Sequence, residues 1–223
     1  MDSKELSDWK LRQHVRECYE LQSDPKAYDD RSEKDEWQRA VYINAQRIAS
    51  INDFNTIVDF GCGSGFKLIK YLSEFETIGF EIEPALSFLK SSYPENIWSD
   101  GSSIGSGDIK ADLVICADVL EHIADPFKLI DIFANSECGL FVLSTPALEL
   151  LAEKGISPRN GPPENKSHIL EWSTVEFSRL LETRMSILSH SIVSLSQATQ
   201  MIIACKKGFE NFYRLPELVC LSK

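Results

Sequence analysis

From Thr56 onward the chain is punctuated by short apolar runs at helix-length intervals: TIVDF, ETIGFEI, NIW, ADLVICAD and GLFVLST. A run that is apolar at successive positions has no solvent face, so each of these is read as a strand covered on both sides. Strands that alternate with helical stretches pair in parallel, because each connection must cross a face of the sheet and a right-handed helical crossover does so with its backbone satisfied. The predicted fold class is therefore α/β, a doubly wound sheet sandwiched between helices. Near the C-terminus the rhythm changes. RMSILSHSIVSL and TQMIIACKK are separated only by a short polar link, which suits an antiparallel pair.

With 223 residues, 43% of them hydrophobic, the chain can bury one full core. The expected organisation is a helical extension or lid over residues 1–50, one domain over 51–207 and a tail over 208–223. In the extension, Trp37, Val41, Ala45 and Ile48 recur at helical spacing and share a face. The formal net charge of −11 repels phosphate backbones and anionic headgroups at long range, so neither a nucleic-acid partner nor membrane insertion is expected. The 6 cysteines are scattered without a CxxC pair, and the N-terminal MDSKELSDWK has no apolar signal core. Both observations point to a cytoplasmic protein. Oligomeric state is not legible.

The run VDFGCGSGFKLIKYL places Asp59, Gly61, Gly63 and Gly65 at alternate positions between an apolar strand and an amphipathic helix. Glycines suit such a turn because a ligand must approach the main chain closely. A dinucleotide fingerprint would need a further glycine where Phe66 stands, so a nicotinamide cofactor is disfavoured. Asp59 offers an acceptor to the ammonium group of an amino-acid-like ligand. Glu81 closes the second strand about 20 residues later, the spacing of a carboxylate that accepts from both hydroxyls of a ribose. Glu83 is the competing solvated acid. Asp100, after the third strand, is read either as an acceptor for an adenine amino group or as an Asx-turn residue. Each of these lies at the carboxyl end of a successive strand, where doubly wound folds bind ligands. Cys62, Ile82, Gly101, Ser102, Ala117 and Asp118 complete the predicted cofactor-binding set beside them.

Taken in order, DFGCGSG, GFEIEP, SDGSS, ADLVICADVLEHIADP and LFVLSTP resemble the motifs of class I S-adenosylmethionine-dependent methyltransferases, in particular the group of ubiquinone-biosynthesis-type O-methyltransferases. The resemblance covers about residues 56–146. It implies S-adenosylmethionine (SAM) as cofactor, with Gly61, Gly63 and Gly65 flanking its methionine part, Glu81 on the ribose and Asp100 on the adenine. It also implies a Rossmann-like sheet of seven strands whose last runs antiparallel. The phrase GPPENKSHILEWSTVEF is similar to an element of bacterial methyltransferases of surface-glycan synthesis, so a small-molecule or glycan-type acceptor is expected.

Methyl transfer from a sulfonium is an in-line displacement in which the protein positions the reactants and excludes water. A hydroxyl acceptor gains from a base, and His122 and His168 are the two candidate catalytic residues, either of which could serve as base or orienter. His14 and His190 sit in a charged helix and an apolar strand. No metal site is expected, since Glu121 and His122 should diverge on a helix and no third ligand has suitable spacing. Residues 152–166 form the one long irregular stretch, where Arg159 and Lys166, with Lys67 nearby, are candidate contacts for an anionic acceptor. Trp37 and Tyr42 are read as a lid over the cofactor or as core. Ser173 or Thr174 with Glu176 reads as a capping box, and Trp172 as its hydrophobic staple. The rival functions are a SAM-binding partner subunit without catalysis and an N-methyltransferase.

Overall fold

The computed structural model describes residue 35 and residues 37–221. The rest of the predicted N-terminal extension, with His14 and Cys18, lies outside the described residues.

Helix α1 (Arg39–Ile51) precedes strand β1 (Thr56–Phe60), followed by α2 (Phe66–Leu72), β2 (Glu76–Glu81), α3 (Ala85–Ser92), β3 (Ile97–Asp100) and β4 (Lys110–Ala117). A short 3₁₀ turn (Leu120–His122) leads to α4 (Pro126–Asn135), β5 (Glu137–Pro146), α5 (Leu148–Glu153), α6 (Thr174–Glu182), β6 (Met185–Ser194) and β7 (Thr199–Lys206). The strands form one seven-stranded sheet in the order β3-β2-β1-β4-β5-β7-β6. Pairings through β5 are parallel, whereas β7 runs antiparallel to both β5 and β6. The polar link at residues 195–198 thus makes the expected antiparallel pair.

The alternation inside β4 and β5 shows why these strands are apolar at every position. Leu113, Ile115, Leu140 and Val142 enter a core beneath α1, while Val114, Cys116, Phe141 and Leu143 enter a second core beneath α4 and α6. On α1, Val41, Ala45 and Ile48 are fully buried as their spacing predicted, but Trp37 lies in a turn before the helix and is 48% exposed. The tail after β7 packs on the α1 side. Tyr213, Leu215, Leu218 and Leu221 cover that core, and Asn44 exchanges two hydrogen bonds with the backbone of Val219.

Helix α6 starts where the sequence placed it. Ser173 accepts from the amide of Glu176, whose carboxylate accepts in return from the amide of Ser173, and Trp172 stacks on Phe177 at 6.1 Å. This is a capping box with its hydrophobic staple. It anchors the C-terminal end of the irregular segment, whose first residues, Ala152 and Glu153, belong instead to α5.

Candidate active site

The winding direction reverses between β1 and β4, and the carboxyl ends of strands at such a point are where doubly wound sheets form their ligand crevice. The glycine turn fills one lip. Gly61, Gly63 and Gly65 all have positive φ (76°, 56° and 71°), a backbone path that L side chains rarely adopt. The turn is tied to β2 by the amides of Gly61 and Cys62, which donate to the Phe80 carbonyl at 2.8 and 3.3 Å, and Gly65 opens α2.

Glu81 stands in register with Asp100 across the β2–β3 pair, so the two predicted cofactor carboxylates end adjacent strands side by side. One Glu81 oxygen accepts from the amide of Gly63 at 2.8 Å and the other from the amide of Ile82 at 2.9 Å. Burial pushes its carboxyl up, against the pull of these two amides. Asp100 is exposed and accepts from the amide of Ser102 at 2.8 Å, the Asx turn of the competing reading, and this bond holds its carboxyl below the usual range. Gly101 follows in the same turn, its amide bound to the Glu81 carbonyl at 3.0 Å.

Asp59 is fully buried, and the Tyr42 hydroxyl donates to it at 2.8 Å. Tyr42 is therefore a core residue of α1 that reaches the glycine turn. Burial pushes the Asp59 carboxyl up to about 7; the Tyr42 hydrogen bond opposes the shift and the Glu81 charge adds to it. Across the crevice, Asp118 follows β4 with φ 54° and accepts from the Ser144 hydroxyl at 2.7 Å. Ala117 is buried beside it and takes the Gln38 side-chain amide on its carbonyl at 3.2 Å. Lys67, the second residue of α2, is buried and pushed down to about 8 by that burial, with Asp118 opposing the shift.

The histidines meet on the far side of Asp118. The carbonyl of Glu121 accepts from the amides of Ile169 and Leu170 at 2.7 and 3.3 Å, which pins the irregular segment against the 3₁₀ turn. This brings the rings of His122 and His168 to 5.0 Å, edge to face. His122 Nδ1 lies 2.7 Å from the Ser167 carbonyl, and His168 Nδ1 lies 2.7 Å from a Glu171 carboxylate oxygen. A carbonyl or a carboxylate can only accept, so both Nδ1 atoms carry hydrogen. The Asn165 amide, at 3.0 Å, points its nitrogen at His168 Nε2, consistent with that tautomer. Burial pushes His122 down to about 4.

Two expectations change here. Glu121 and His122 do not diverge, because they lie in a 3₁₀ turn rather than an α-helix, and a third residue of ligating type, His168, arrives from a distant loop. Ligand atoms of the three residues lie within 4.8 Å of one another. Arg159 and Lys166, in contrast, are exposed; the nearest partner of Arg159 is Glu153, at 4.0 Å. Sequence reasoning also missed the roles of Glu171, Asn165 and Ser144. Of these, Glu171 was within reach, since a carboxylate three residues after a histidine can orient it locally.

The family model of the methyltransferase domain matches residues 31–195, well over half of the chain. The chain belongs to the methyltransferase-domain family. In a sequence comparison with curated proteins nothing matches. Solved structures share the fold of this methyltransferase at low identity. They include a chain of the Haloferax volcanii complex of the Trm112 methyltransferase activator (TM-score 0.62, 12% identity, 84% of this chain and 99% of that one). A protein of Pyrococcus horikoshii OT3 aligns with TM-score 0.60 and 18% identity over 82% of this chain and 96% of its own. The N-methyltransferase NodS of Bradyrhizobium japonicum WM9, in complex with S-adenosyl-L-homocysteine, aligns with TM-score 0.58 and 13% identity over 84% and 94%. Among the described residues of the methyltransferase, no helix is long and apolar enough to cross a membrane.

The raised Asp59 carboxyl makes the stability of the ligand-free methyltransferase depend on pH. A folded-state value above the unfolded one means that the fold favours the protonated acid. The resulting stability is complete below the ordinary carboxylate range and is lost as pH rises through about 7. Between about pH 6 and 8 the wild-type protein should lose on the order of 1 kcal/mol through this group. Asp59→Asn should remove that slope in thermal melts, and parallel pH profiles for the two proteins would refute it.

Proposed function

We propose that this enzyme uses S-adenosylmethionine to methylate a hydroxyl oxygen of a small-molecule or glycan-type acceptor. The observation that carries the reading is the register of Glu81 and Asp100 beside the glycine turn. It supports a ribose diol on Glu81, an adenine amino group on Asp100 and the methionine end on the main chain of Gly61, Gly63 and Gly65. Ile82, Gly101, Ser102, Ala117 and Asp118 are the further proposed contacts, whereas the Cys62 side chain packs into the core with Leu68, Leu89 and Trp98 and leaves only its backbone for the cofactor. A cationic sulfonium is favoured there by Asp59, Glu81 and Asp118.

Bound SAM supplies an activated methyl group. The chain's own residues hold it, exclude water and meet the acceptor. His122 and His168, largely buried and, for His168, within electrostatic reach of Asp118, are the polar side chains proposed to meet the acceptor hydroxyl. The preference for oxygen rests on this imidazole pair with the Glu121 carboxylate beside it, groups that can help a hydroxyl lose its proton directly or through a bound cation, whereas a neutral amine is already nucleophilic.

Glu81→Ala should weaken SAM binding by about 1–3 kcal/mol through loss of charge-assisted hydrogen bonds. Glu81→Gln separates causes, since its amide oxygen can still receive the Gly63 amide while the charge is gone. Calorimetric affinity of Glu81→Ala equal to wild type would reject the assignment. Incubation with polyol, phenol and glycan acceptors should then yield S-adenosylhomocysteine together with the methyl ether. Product found only with amines would shift the reading to N-methylation, and SAM binding without any turnover would indicate a partner subunit.

A further inference from the structure

Glu121 is fully buried, yet neither of its carboxylate oxygens has a hydrogen-bond donor in place. The Thr145 hydroxyl, itself without a partner, and the residue's own amide are the groups that oppose the effect of burial, and neither stands at hydrogen-bond geometry. A buried anion left in this state costs several kcal/mol unless a proton or a cation compensates it. The surroundings are built for a cation. A ring nitrogen of each of His122 and His168 belongs to the same cluster as this carboxylate, with ligand atoms within 4.8 Å of one another, and an ion bound through His168 Nε2 would displace the Asn165 amide that now lies 3.0 Å from it.

Each histidine also has its other nitrogen fixed. His122 Nδ1–H is held by the Ser167 carbonyl, and His168 Nδ1–H by the Glu171 carboxylate, which is itself buried. Backbone-carbonyl and carboxylate partners on the remote nitrogen are the arrangement that sets tautomer and ring direction in metal-ligating histidines and raises their basicity. A histidine pair packed for shape alone would not need both rings locked in the same sense. Imidazole nitrogens select against magnesium and calcium and suit zinc, iron or nickel, for which cobalt(II) is a spectroscopic stand-in.

We infer that Glu121, His122 and His168 form a binding site for one divalent transition-metal ion, oriented from outside by Glu171 and Ser167. Three protein ligands leave coordination positions open, and Asp118, at the lip of the crevice, is three residues away along the chain. The catalytic role assigned to the ion rests on the proposed hydroxyl methylation, whereas its binding does not. An acceptor oxygen on the ion becomes more acidic, and its proton is released to solvent. The oxygen lone pair then forms the bond to the methyl carbon as the carbon–sulfur bond breaks. That electron pair stays on sulfur, giving neutral S-adenosylhomocysteine and the methyl ether. In this arrangement the histidines act as ligands rather than as the base.

The test is a titration of cobalt(II) into chelator-stripped full-length protein, with visible absorption reporting coordination and calorimetry reporting stoichiometry. The expected result is one ion per chain with ligand-field bands in the visible. His168→Ala and Glu121→Gln should each weaken binding by about 100-fold, and Glu171→Gln by about 10-fold through loss of orientation. SAM affinity, measured on the same samples, should stay within about 3-fold of wild type, which also certifies that each variant is folded. Absence of saturable cobalt binding, or binding that His168→Ala leaves unchanged, overturns the site. Intact SAM binding would then leave the methyltransferase reading standing, and saturable metal without SAM binding would fail that reading instead.

Discussion

Gly63→Val is expected to abolish detectable SAM binding while leaving the protein folded. Gly63 sits partly exposed at the mouth of the turn with φ 56°, and its amide is held by Glu81. A β-branched residue in the left-handed region is strained by about 1–2 kcal/mol, and its side chain would enter the space where the methionine end of the cofactor meets the backbone. Neighbouring Gly65 would be a poorer probe, because a Cβ there would stand 2.7 Å from Leu89 and Trp98 and disturb the packing of α3 and β3. Gly155→Val is the matched control. Its φ is 66° and nothing lies within 4 Å of the added carbon, so it imposes the same kind of strain away from the crevice and should bind SAM normally. Retention of near-wild-type affinity by Gly63→Val would exclude the glycine turn from the cofactor site.

The second large effect concerns stability. Trp172 is fully buried, stacks on Phe177, and its carbonyl receives the amide of Leu148 and the side chain of Gln200. Truncation to alanine removes an indole from a close-packed core, at a cost of about 3–5 kcal/mol. In a domain of this size that should lower Tm by on the order of 10 °C. Trp172→Phe should recover most of the loss. Because Glu171 precedes it, Trp172→Ala should also impair what depends on the His168–Glu171 pair before it impairs SAM binding at the opposite lip. A Tm within about 2 °C of wild type would show that the residue is not the anchor described.

Much of the architecture was legible because local periodicity reports burial directly. The continuous apolar runs of β4 and β5 predicted two covered faces, and α1 and α4 with α6 supply the covers. The strand-end placement of the proposed cofactor residues was legible for a related reason. Asp59, the glycine turn, Glu81 and Asp100 each stand at the end of a strand, and the parallel register carries strand ends to one edge of the sheet. Trp37 was misplaced because helical spacing does not say where a helix begins.

The acceptor side was not legible to the same degree. His122 and His168 could be named as candidates, but their meeting depends on the Glu121 carbonyl capturing the amides of Ile169 and Leu170, a loop-to-turn contact with no periodic signature. A helical reading of DVLEH turned Glu121 away from His122, whereas in the 3₁₀ turn their ligand atoms lie within 4.8 Å of each other. The sequence by itself determined the sheet, its winding and the glycine turn with the carboxylates that end the neighbouring strands, since these follow from nearest-neighbour patterns of burial and backbone freedom. Only the tertiary structure decided that a buried carboxylate and two oriented imidazoles converge, because convergence of residues 46 positions apart is set by packing in three dimensions.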